Sequence, residues 1–543
     1  MSNHPLAKYK YQYGAIGLTG ILILLTSLLL TALVVDSGRL WMQQRQLQSI
    51  ADIAAINASR HLGCNTDLEN VTQMAQQAAL NNGFQGQLSE DPNQVLLGRV
   101  DTVSGVRQFT ADGSSEAVYV KATREVPSSL VVGGLIGGTV VLHAEAVSAS
   151  SPSIAAFSAG SYAVSFSSED SKLLNGILGG MLGTSVNLDV LTYNGIADTK
   201  IKLQDMLAVS GQVGTLEELL NTDMQVATLL ELYANAASQN KAADIQAIAG
   251  METLASLVAN NATIKLSDIL SMTTPDANAA ATVSLNALSL ITTTAMIANG
   301  SHAISLPLAV NVPSIASINA DLTVIEPPQI AVGPAAGDDG NLCTVVHTAQ
   351  IRTRVAVLIN IPLLARIDLA LNAQVAQGTA GLRSIQQGDS ESVVKIDATP
   401  GIASLTLTNT AGTGPARIST LLNIPVADIG LNLPIQPPSA QTLEFTVANP
   451  AEENLPQTQS VSSPLGSSLA NALDQPDSLN IKVLSILNLG LINNVVSTIV
   501  SPLLSEIGRV LLDPLLNILG IQVGGMDVKL DDIQYRQSKP LVI

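Results

Sequence analysis

The sequence GAIGLTGILILLTSLLLTALVV occupies residues 14–35 and contains no charged side chain. As an α-helix, a segment of this length extends for about 33 Å, which matches the hydrocarbon thickness of a bilayer. A cleaved signal peptide is the alternative, but its apolar region would span about 7 to 15 residues and end at small residues. Here the apolar stretch is longer and continues as VVDSGRLW at residues 34–41. The sequence therefore predicts a single transmembrane helix at residues 14–35.

The charges on either side of this span predict its orientation. Lys8 and Lys10 precede it together with the amino terminus, and Asp36 and Arg39 follow it. Positive residues favour the cytoplasmic side of a membrane helix. We therefore expect residues 1–13 in the cytoplasm and nearly all of the chain on the opposite side of the membrane.

The predicted helix continues beyond the membrane. Residues 36–62 lack proline, and apolar residues recur in them near helical spacing. We predict that the helix runs to about Leu62. One face of it is a possible tether or docking surface, made of Leu40, Leu47, Ala51, Asp52, Ala54 and Ala58. For Asp52, a solvated or hydrogen-bonded helix position is favoured over a buried functional carboxylate.

The composition restricts the class of partner. Apolar residues make up 47% of the chain, aromatic residues only 3%, and the formal net charge is -18. A negative chain repels phosphate backbones, so we expect no nucleic acid partner. The interior must be filled by Ala, Val, Leu and Ile, which suits a protein of the cell envelope.

Two cysteines, Cys64 and Cys343, occur in the sequence, and neither lies at the spacing of a metal site. In an oxidising compartment they can form a disulfide that closes a long loop. Two unrelated buried thiols are the other interpretation, and the spacing does not decide between them.

The rest of the chain predicts an α+β fold. A short helix around residues 70–81 and β-branched segments follow the anchor, and later stretches change from helical to β-rich patterns. The apolar run at 130–142 holds four glycines and is too short for a second crossing. Prolines 502 and 514 interrupt the apolar segments near the C-terminus. We predict these boundaries: a cytoplasmic N-terminus at 1–13, the transmembrane helix at 14–35, a helix with strands at 36–150, a helix-rich region at 151–300, a β-rich region at 301–449, a linker or surface loop at 450–478, and amphipathic helices with a tail at 479–543.

No catalytic motif stands out in the sequence. It lacks the His-Glu-x-x-His pair of zinc proteases and the Gly-x-Ser-x-Gly elbow of serine hydrolases. Adjacent acids such as Asp338 and Asp339, or Asp531 and Asp532, are usually solvated surface residues. We therefore predict no enzyme activity, no cofactor and no metal site.

The region around the membrane exit resembles a known family. An uncharged span that ends in VVDSGRL, followed by RQLQSIADIAAI, is similar to the N-terminus of TadG-like proteins of tight adherence (Flp) pilus systems. The ending LLDPLLNILGIQVGGMDVKL also resembles TadG-like C-termini. Related pseudopilins carry a Glu shortly after a Gly cleavage point, whereas Ala15, Ile16, Gly17, Leu18 and Thr19 follow Gly14 here. This difference favours a permanent anchor.

The resemblance implies a pilin-like module at 36–150 and a TadE/TadG-like anchor in the inner (cytoplasmic) membrane, with the bulk of the chain in the periplasm. It implies a structural role in pilus assembly, with membrane lipid and other pilus-assembly or pseudopilin subunits as partners. An envelope-exposed adhesin or binding module is the alternative. A hydrolase without a recognisable motif is the third hypothesis. Fold alone does not decide among them, because function depends on sites.

Overall fold

The computed structural model describes residues 15–535, apart from 63–66, 104–105, 130–137, 150–151, 161–165, 212, 240–243, 260, 274–279, 313–314, 337–339, 362–364, 389, 421, 434–438, 449–453, 462–472, 474–477, 485–488, 519–520 and 523–524. The chain divides near residue 150 into two compact units. We call their described parts, residues 15–149 and 152–535, the N-terminal unit and the C-terminal unit.

A single long helix and a small sheet form the N-terminal unit. Helix α1 (Ala15–Ser59) is continuous over 45 residues, and α2 (Leu68–Asn81) begins where the Asp67 side chain accepts a hydrogen bond from the backbone of Glu69. The strands form an antiparallel sheet in the order β2-β1-β3-β4, with bounds β1 Gln94–Val103, β2 Val106–Thr110, β3 Ala117–Pro127 and β4 Thr139–Ala149.

The core of this unit lies between the helices and one face of the sheet. Small side chains of α1 allow the helix to lie close to the strands, and the core residues are fully or almost fully buried. They include Leu47, Ile50, Ala51, Ala54, Ala55, Ala58, Val71, Ala75, Val118, Val120, Ala122, Ala144 and Ala146. The predicted run at 130–142 falls partly on residues 130–137, which lie outside the described residues.

The C-terminal unit begins with strand β5 (Ile154–Ala159), and helices follow it. Their starts carry the expected caps, such as the reciprocal hydrogen bonds of Ser167 with Asp170 and of Thr215 with Glu218. The helices are α3 Ser168–Leu182, α4 Val190–Asp198, α5 Leu203–Ser210, α6 Leu216–Asn221, α7 Val226–Gln239, α8 Ile245–Leu257, α9 Leu266–Ile269 and α10 Ala287–Asn299. Short strands between them are β6 Lys200–Lys202, β7 Met224–Gln225, β8 Thr263–Ile264, β9 Leu270–Met272 and β10 Ser284–Asn286.

Three larger sheets complete this unit. The longest has the order β11-β12-β15-β16-β20-β21-β24, and β19 also pairs with β16. Burial alternates along its strands, for example in β15, because one face packs on the helices. Its bounds are β11 Ala303–Val312, β12 Ile315–Glu326, β15 Gln350–Ile361, β16 Ala365–Val375, β19 Ala403–Thr408, β20 Ala416–Ser419, β21 Pro425–Leu431 and β24 Leu479–Val483.

The other two sheets pack face to face. One has the order β23-β26-β5-β13-β9, with β25 paired to β26, and the second has the order β14-β17-β18-β22. Their facing side chains, such as Phe157 and Phe445, form a second core. The bounds are β13 Ile330–Pro334, β14 Val345–His347, β17 Thr379–Gln386, β18 Glu391–Thr399, β22 Gln441–Ala448, β23 Gln457–Val461, β25 Ile521–Gln522 and β26 Gly525–Gln534.

In one helical segment near the C-terminus, the pattern of buried and exposed residues repeats every four residues. Two buried residues alternate with two more exposed ones in VVSTIVSPLLSEIGRVLLDPLLNI, and the buried pairs are 495/496, 499/500, 503/504, 507/508, 511/512 and 515/516. An α-helix turns by about 100° per residue, so a period of four drifts by about 40° per repeat. Two wider π-helical turns compensate for this drift. The bounds are α11 Leu489–Val495, a π turn Val496–Val500, α12 Ser501–Ile507, a π turn Gly508–Leu512 and α13 Asp513–Ile518.

The prolines of this segment do not interrupt it, contrary to the sequence prediction. Pro502 and Pro514 each follow a π turn after one intervening residue, and the helix continues through both. The wider turn accommodates a ring that would clash with the carbonyl of the preceding α-helical turn. The segment is long and apolar enough to cross a membrane, but half of it is buried within the protein.

The predicted α+β class is confirmed, with an apolar N-terminal helix followed by helices and many strands. Two local features differ from the sequence interpretation. The stretch predicted as a linker contains β23, which pairs with β26, and the C-terminal tail contains β26 itself. Strand β26 also pairs with β5, so strands from the beginning and the end of the C-terminal unit lie side by side.

Candidate tether and docking helix

The first half of α1 exposes its large apolar side chains. Leu18 is 73% exposed and Val35 is 52% exposed, and only 6% of the most apolar window is buried. Two hydroxyls of this half donate to carbonyls of the helix itself: Thr26 Oγ1 to Leu22 O at 2.7 Å, and Thr31 Oγ1 to Ser27 O at 2.8 Å. A helix that satisfies its own polar groups and exposes apolar ones suits a lipid environment.

The end of the apolar stretch is bound to the last residue of β3 and to a residue just after that strand. Asp36 is only 8% exposed, and its Oδ2 accepts a hydrogen bond from Ser129 Oγ. Three residues further on, the Arg39 guanidinium donates to Pro127 O at the end of β3. The point at which the helix leaves the apolar stretch is therefore joined to the strands by two side chains.

Beyond this point, two glutamines of α1 bind the edge strand of the sheet. Gln44 Nε2 donates to His143 O at 2.7 Å, and Gln48 Nε2 donates to Glu145 O at 2.8 Å. Four helical residues rise about 6 Å and two strand residues rise about 6.6 Å, so the two spacings match. Since β4 is the last strand of its sheet, these bonds use carbonyls that would otherwise lie open on a sheet edge.

The last helical residue in this series is Ser59, whose Oγ lies 2.9 Å from Ser148 Oγ in a buried position. Contacts between α1 and the strands thus extend from Asp36 to Ser59. The exposed half of α1 and the bound half belong to one uninterrupted helix. A force on the membrane end would therefore act on the sheet without passing through a flexible linker.

The residues predicted as a tether or docking face lie mainly inside the N-terminal unit. Leu47, Ala51, Ala54 and Ala58 are fully buried in its core, and Leu40 and Asp52 are partly buried. Asp52 Oδ1 accepts a hydrogen bond from Gln48 Nε2 at 2.9 Å and thereby holds that amide towards β4. Most of the face predicted for docking is therefore buried in the core of the N-terminal unit.

A different face of α1 remains exposed. Trp41 and Met42 are 62% and 69% exposed, and the Arg45 guanidinium lies 4.6 Å from the centroid of the Trp41 ring. This distance is that of a cation–π contact. Gln44 and Gln48 are not among the residues predicted for docking. Their spacing of four residues places both on one side of the helix, and this spacing is the signal that could have indicated them.

One residue of the predicted cysteine pair, Cys343, lies in the described part of the chain. Cys343 is partly buried between β13 and β14. Cys64 lies outside the described residues, so the disulfide stays a prediction. Asp338 and Asp339 also lie outside them.

The prediction that Asp531 and Asp532 are solvated is wrong. They are 4% and 8% exposed, at a β-bulge of β26 that turns both side chains inward. Lys529 Nζ lies 3.5 Å from Asp531 Oδ1, and Asp532 Oδ2 accepts a hydrogen bond from the backbone of Ser284 at 2.8 Å. Burial raises the pKa of both carboxyl groups.

This charged group connects β26 to β10 and is a structural junction. Within the described part of the chain, no three or more His, Cys, Asp or Glu residues are arranged to hold a metal ion. Asp531 Oδ2 is buried without a hydrogen-bond partner, which makes the pairing of its other oxygen with Lys529 important for stability.

Family profiles match separate parts of the chain. The TadE/G-like Flp pilus-assembly family (Tad) matches residues 14–60, which correspond to α1. The Tad-like Flp pilus-assembly family (Tad_C) matches residues 57–148, which hold α2 and the sheet. A domain of unknown function (DUF8293) matches residues 170–296, the helical part of the C-terminal unit. No curated protein and no solved structure matches the chain.

The two pilus-assembly profiles meet at the end of α1 and together cover the membrane exit, the glutamine contacts and the four strands. The resemblance that the sequence indicated is confirmed. Residues 14–148 are thus similar to TadE/G-like proteins of Flp pilus assembly, which supports a TadG-like protein of that system.

Proposed function

We propose that this protein is a structural, non-catalytic component of Flp pilus assembly that stays anchored in the inner membrane. A single crossing at residues 14–35 leaves the N-terminus in the cytoplasm, and both compact units lie in the periplasm. The role in pilus assembly rests on the family matches, whereas the permanent anchor rests on the geometry of α1.

One observation carries the proposal: α1 is a single helix that exposes apolar residues in its first half and is bound to a sheet through its second half. A cleaved signal sequence needs no such continuity, because it is separated from the folded domain. Here the side-chain contacts of Asp36 and Arg39 begin directly after the apolar stretch. The arrangement supports an anchor that holds a folded module at a fixed position near the membrane.

The exposed residues of α1 outside the apolar stretch offer a surface for another assembly subunit. Trp41, Met42 and Arg45 combine an aromatic ring, a flexible thioether and a positive charge, which are side-chain types enriched at protein interfaces. We propose that a pilus-assembly or pseudopilin subunit contacts this face next to the membrane.

Reporter fusions and a gene deletion test the proposal. Reporters placed after Ser150 and after Ile543 should be active only outside the cytoplasm, and deletion of the gene should reduce piliation or surface attachment. An active cytoplasmic reporter at either position would refute the single crossing. Unchanged pili and attachment in the deletion strain would refute the assembly role and favour an adhesin or binding module.

A further inference from the structure

A lysine and an aspartate of β26 lie buried next to each other. Lys529 and Asp531 are 3% and 4% exposed, and Lys529 Nζ lies 3.5 Å from Asp531 Oδ1. A charge-assisted hydrogen bond is normally about 2.7 to 2.9 Å long. The second oxygen, Asp531 Oδ2, has no hydrogen-bond partner among the described residues. Two buried charges are therefore paired by one long contact, which compensates poorly for the loss of water around them.

Strand β26 holds the two side chains together. Side chains alternate along a strand, and Leu530 points into the second core, so Lys529 and Asp531 both lie on the opposite face of the sheet. Because they belong to one short stretch of backbone, each group meets the other at a high effective concentration. Lys529 Nζ is already about as close to the carboxyl group as reacting groups are before attack.

Burial also favours the reactive forms of both groups. In water, a lysine is an ammonium and an aspartate is a carboxylate, and the two do not react with each other. Away from water both charges are disfavoured, and transfer of one proton from Lys529 to Asp531 leaves a neutral amine beside a neutral carboxyl group. Burial raises the pKa of Asp531, although the nearby Lys529 lowers it. A neutral lysine amine in a desolvated site is an effective nucleophile.

A second buried carboxyl group lies next to the pair. Asp532 is 8% exposed and follows Asp531 directly, and the bulge of β26 turns both aspartates inward. The backbone of Ser284 donates to Asp532 Oδ2 at 2.8 Å and holds this carboxyl group in place. Burial raises the pKa of Asp532, so it binds and releases a proton at a higher pH than an exposed aspartate does. Such a group is suited to general acid–base catalysis.

We propose that Lys529 and Asp531 condense in the folded chain and form an isopeptide bond. Lys529 Nζ forms a bond with the side-chain carboxyl carbon of Asp531, and the bond from that carbon to its hydroxyl oxygen breaks. Asp532 accepts a proton from the attacking nitrogen and returns one to the departing oxygen, which leaves as water. The reaction consumes no oxidant, reductant or second substrate. The ion pair in the structure is the state that precedes it.

The product is a neutral amide in place of two buried charges. The bond removes the cost of keeping these charges away from water and fixes the bulge of β26 covalently. Strand β26 pairs with β5, the first strand of the C-terminal unit, and with β23. The bond therefore stabilises the strand that joins the beginning and the end of this unit. The inference is independent of the proposed membrane anchor and of the proposed role in pilus assembly.

Mass spectrometry of the purified, reduced full chain tests the inference. We expect the intact mass to be lower than the mass of the sequence by one water molecule. Trypsin should not cleave after Lys529, because its side chain is an amide, and residues 510–536 should appear as one peptide that lacks one water. An intact mass without this loss overturns the inference. A loss of water with normal cleavage after Lys529 also overturns it, because it indicates a cyclic imide at an aspartate.

Lys395 and Glu444 provide a matched control within the same chain. Lys395 Nζ lies 3.4 Å from Glu444 Oε2, but the two side chains are 35% and 56% exposed. Water keeps this pair charged, so trypsin should cleave after Lys395 and no peptide should link the two residues. Equal condensation at both pairs would overturn the argument that burial drives the reaction.

The variant Asp532→Asn tests the role of the second aspartate, because it keeps both Lys529 and Asp531. Loss of a general acid–base group slows a reaction by about 100- to 10,000-fold. Freshly purified Asp532→Asn should therefore keep the full mass and the cleavage after Lys529, whereas Asp532→Glu, which retains a carboxyl group, should still condense. Cooperative unfolding in urea shows that each variant is folded. A folded Asp532→Asn chain that condenses as fast as the wild type would overturn the role of Asp532.

Discussion

Replacing both glutamines that bind the edge strand should weaken the N-terminal unit without affecting its core. The double variant Gln44→Ala, Gln48→Ala loses the bonds to His143 O and Glu145 O. Each such bond contributes about 0.5 to 1.5 kcal/mol, and water can reach the carbonyls that lose their partners. We therefore expect a loss of about 1 to 2 kcal/mol in the free energy of unfolding.

Urea unfolding of the full chain in detergent micelles measures this loss, with Trp41 fluorescence as the signal. Trp41 lies on α1 and is the only tryptophan, so its emission reports on the N-terminal unit. With a denaturant slope of about 2 kcal/mol per M, the midpoint should fall by about 0.5 to 1 M.

The matched control is Gln46→Ala, Ser49→Ala, which removes two polar side chains from the exposed face of the same helix turns. Exposed substitutions of this kind usually change stability by less than about 0.5 kcal/mol. A double glutamine variant that unfolds at the wild-type midpoint, or a control pair that lowers the midpoint equally, would show that these two bonds do not stabilise the unit.

Three further predictions concern the rest of the chain. Non-reducing electrophoresis after thiol alkylation should find Cys64 linked to Cys343, and two freely alkylated thiols would contradict the bridge. Lys529→Met should destabilise the C-terminal unit by about 3 to 5 kcal/mol because it leaves Asp531 charged and buried. The double variant Lys529→Met, Asp531→Leu should recover most of this loss in the free energy of unfolding. If the losses of the two single variants add up in the double variant, the pairing is refuted. Burial raises the pKa of Asp532, so the folded chain binds that proton more tightly than the unfolded chain, and the C-terminal unit should lose stability as the pH rises from 3.8 through the raised folded value. Asp532→Asn should reduce this dependence of the free energy of unfolding on pH. An unchanged dependence would count against the raised pKa.

The local patterns of the sequence predicted α1 well, because a long uncharged stretch and an apolar repeat are both local signals. They did not show which partner the repeat packs against. Ala51 and Ala54 were expected on a docking face, but they pack on the protein's own sheet. Periodicity identifies a buried face and does not distinguish an intramolecular core from an interface.

Local sequence patterns could not predict which distant strands pair with each other. Strand β26 lies beside β5, more than 350 residues away along the chain, and this placement buries Asp531 and Asp532. Adjacent acids seen in isolation predict solvent exposure, whereas a bulge in a central strand turns them inward. The four-residue repeat near Pro502 is present in the sequence, but prolines usually interrupt an α-helix and the sequence does not show the π turns that accommodate them here.

The central claim is that a permanent membrane tether of this protein is needed for pilus assembly. The most direct measurement counts pili by electron microscopy in a deletion strain that produces either the wild-type chain or a chain in which a cleavable signal peptide replaces residues 1–35. Immunoblots must show equal amounts of both proteins outside the cytoplasm. We expect the wild-type chain to restore pili and the released protein not to restore them. Full restoration of pili by the released protein would contradict it.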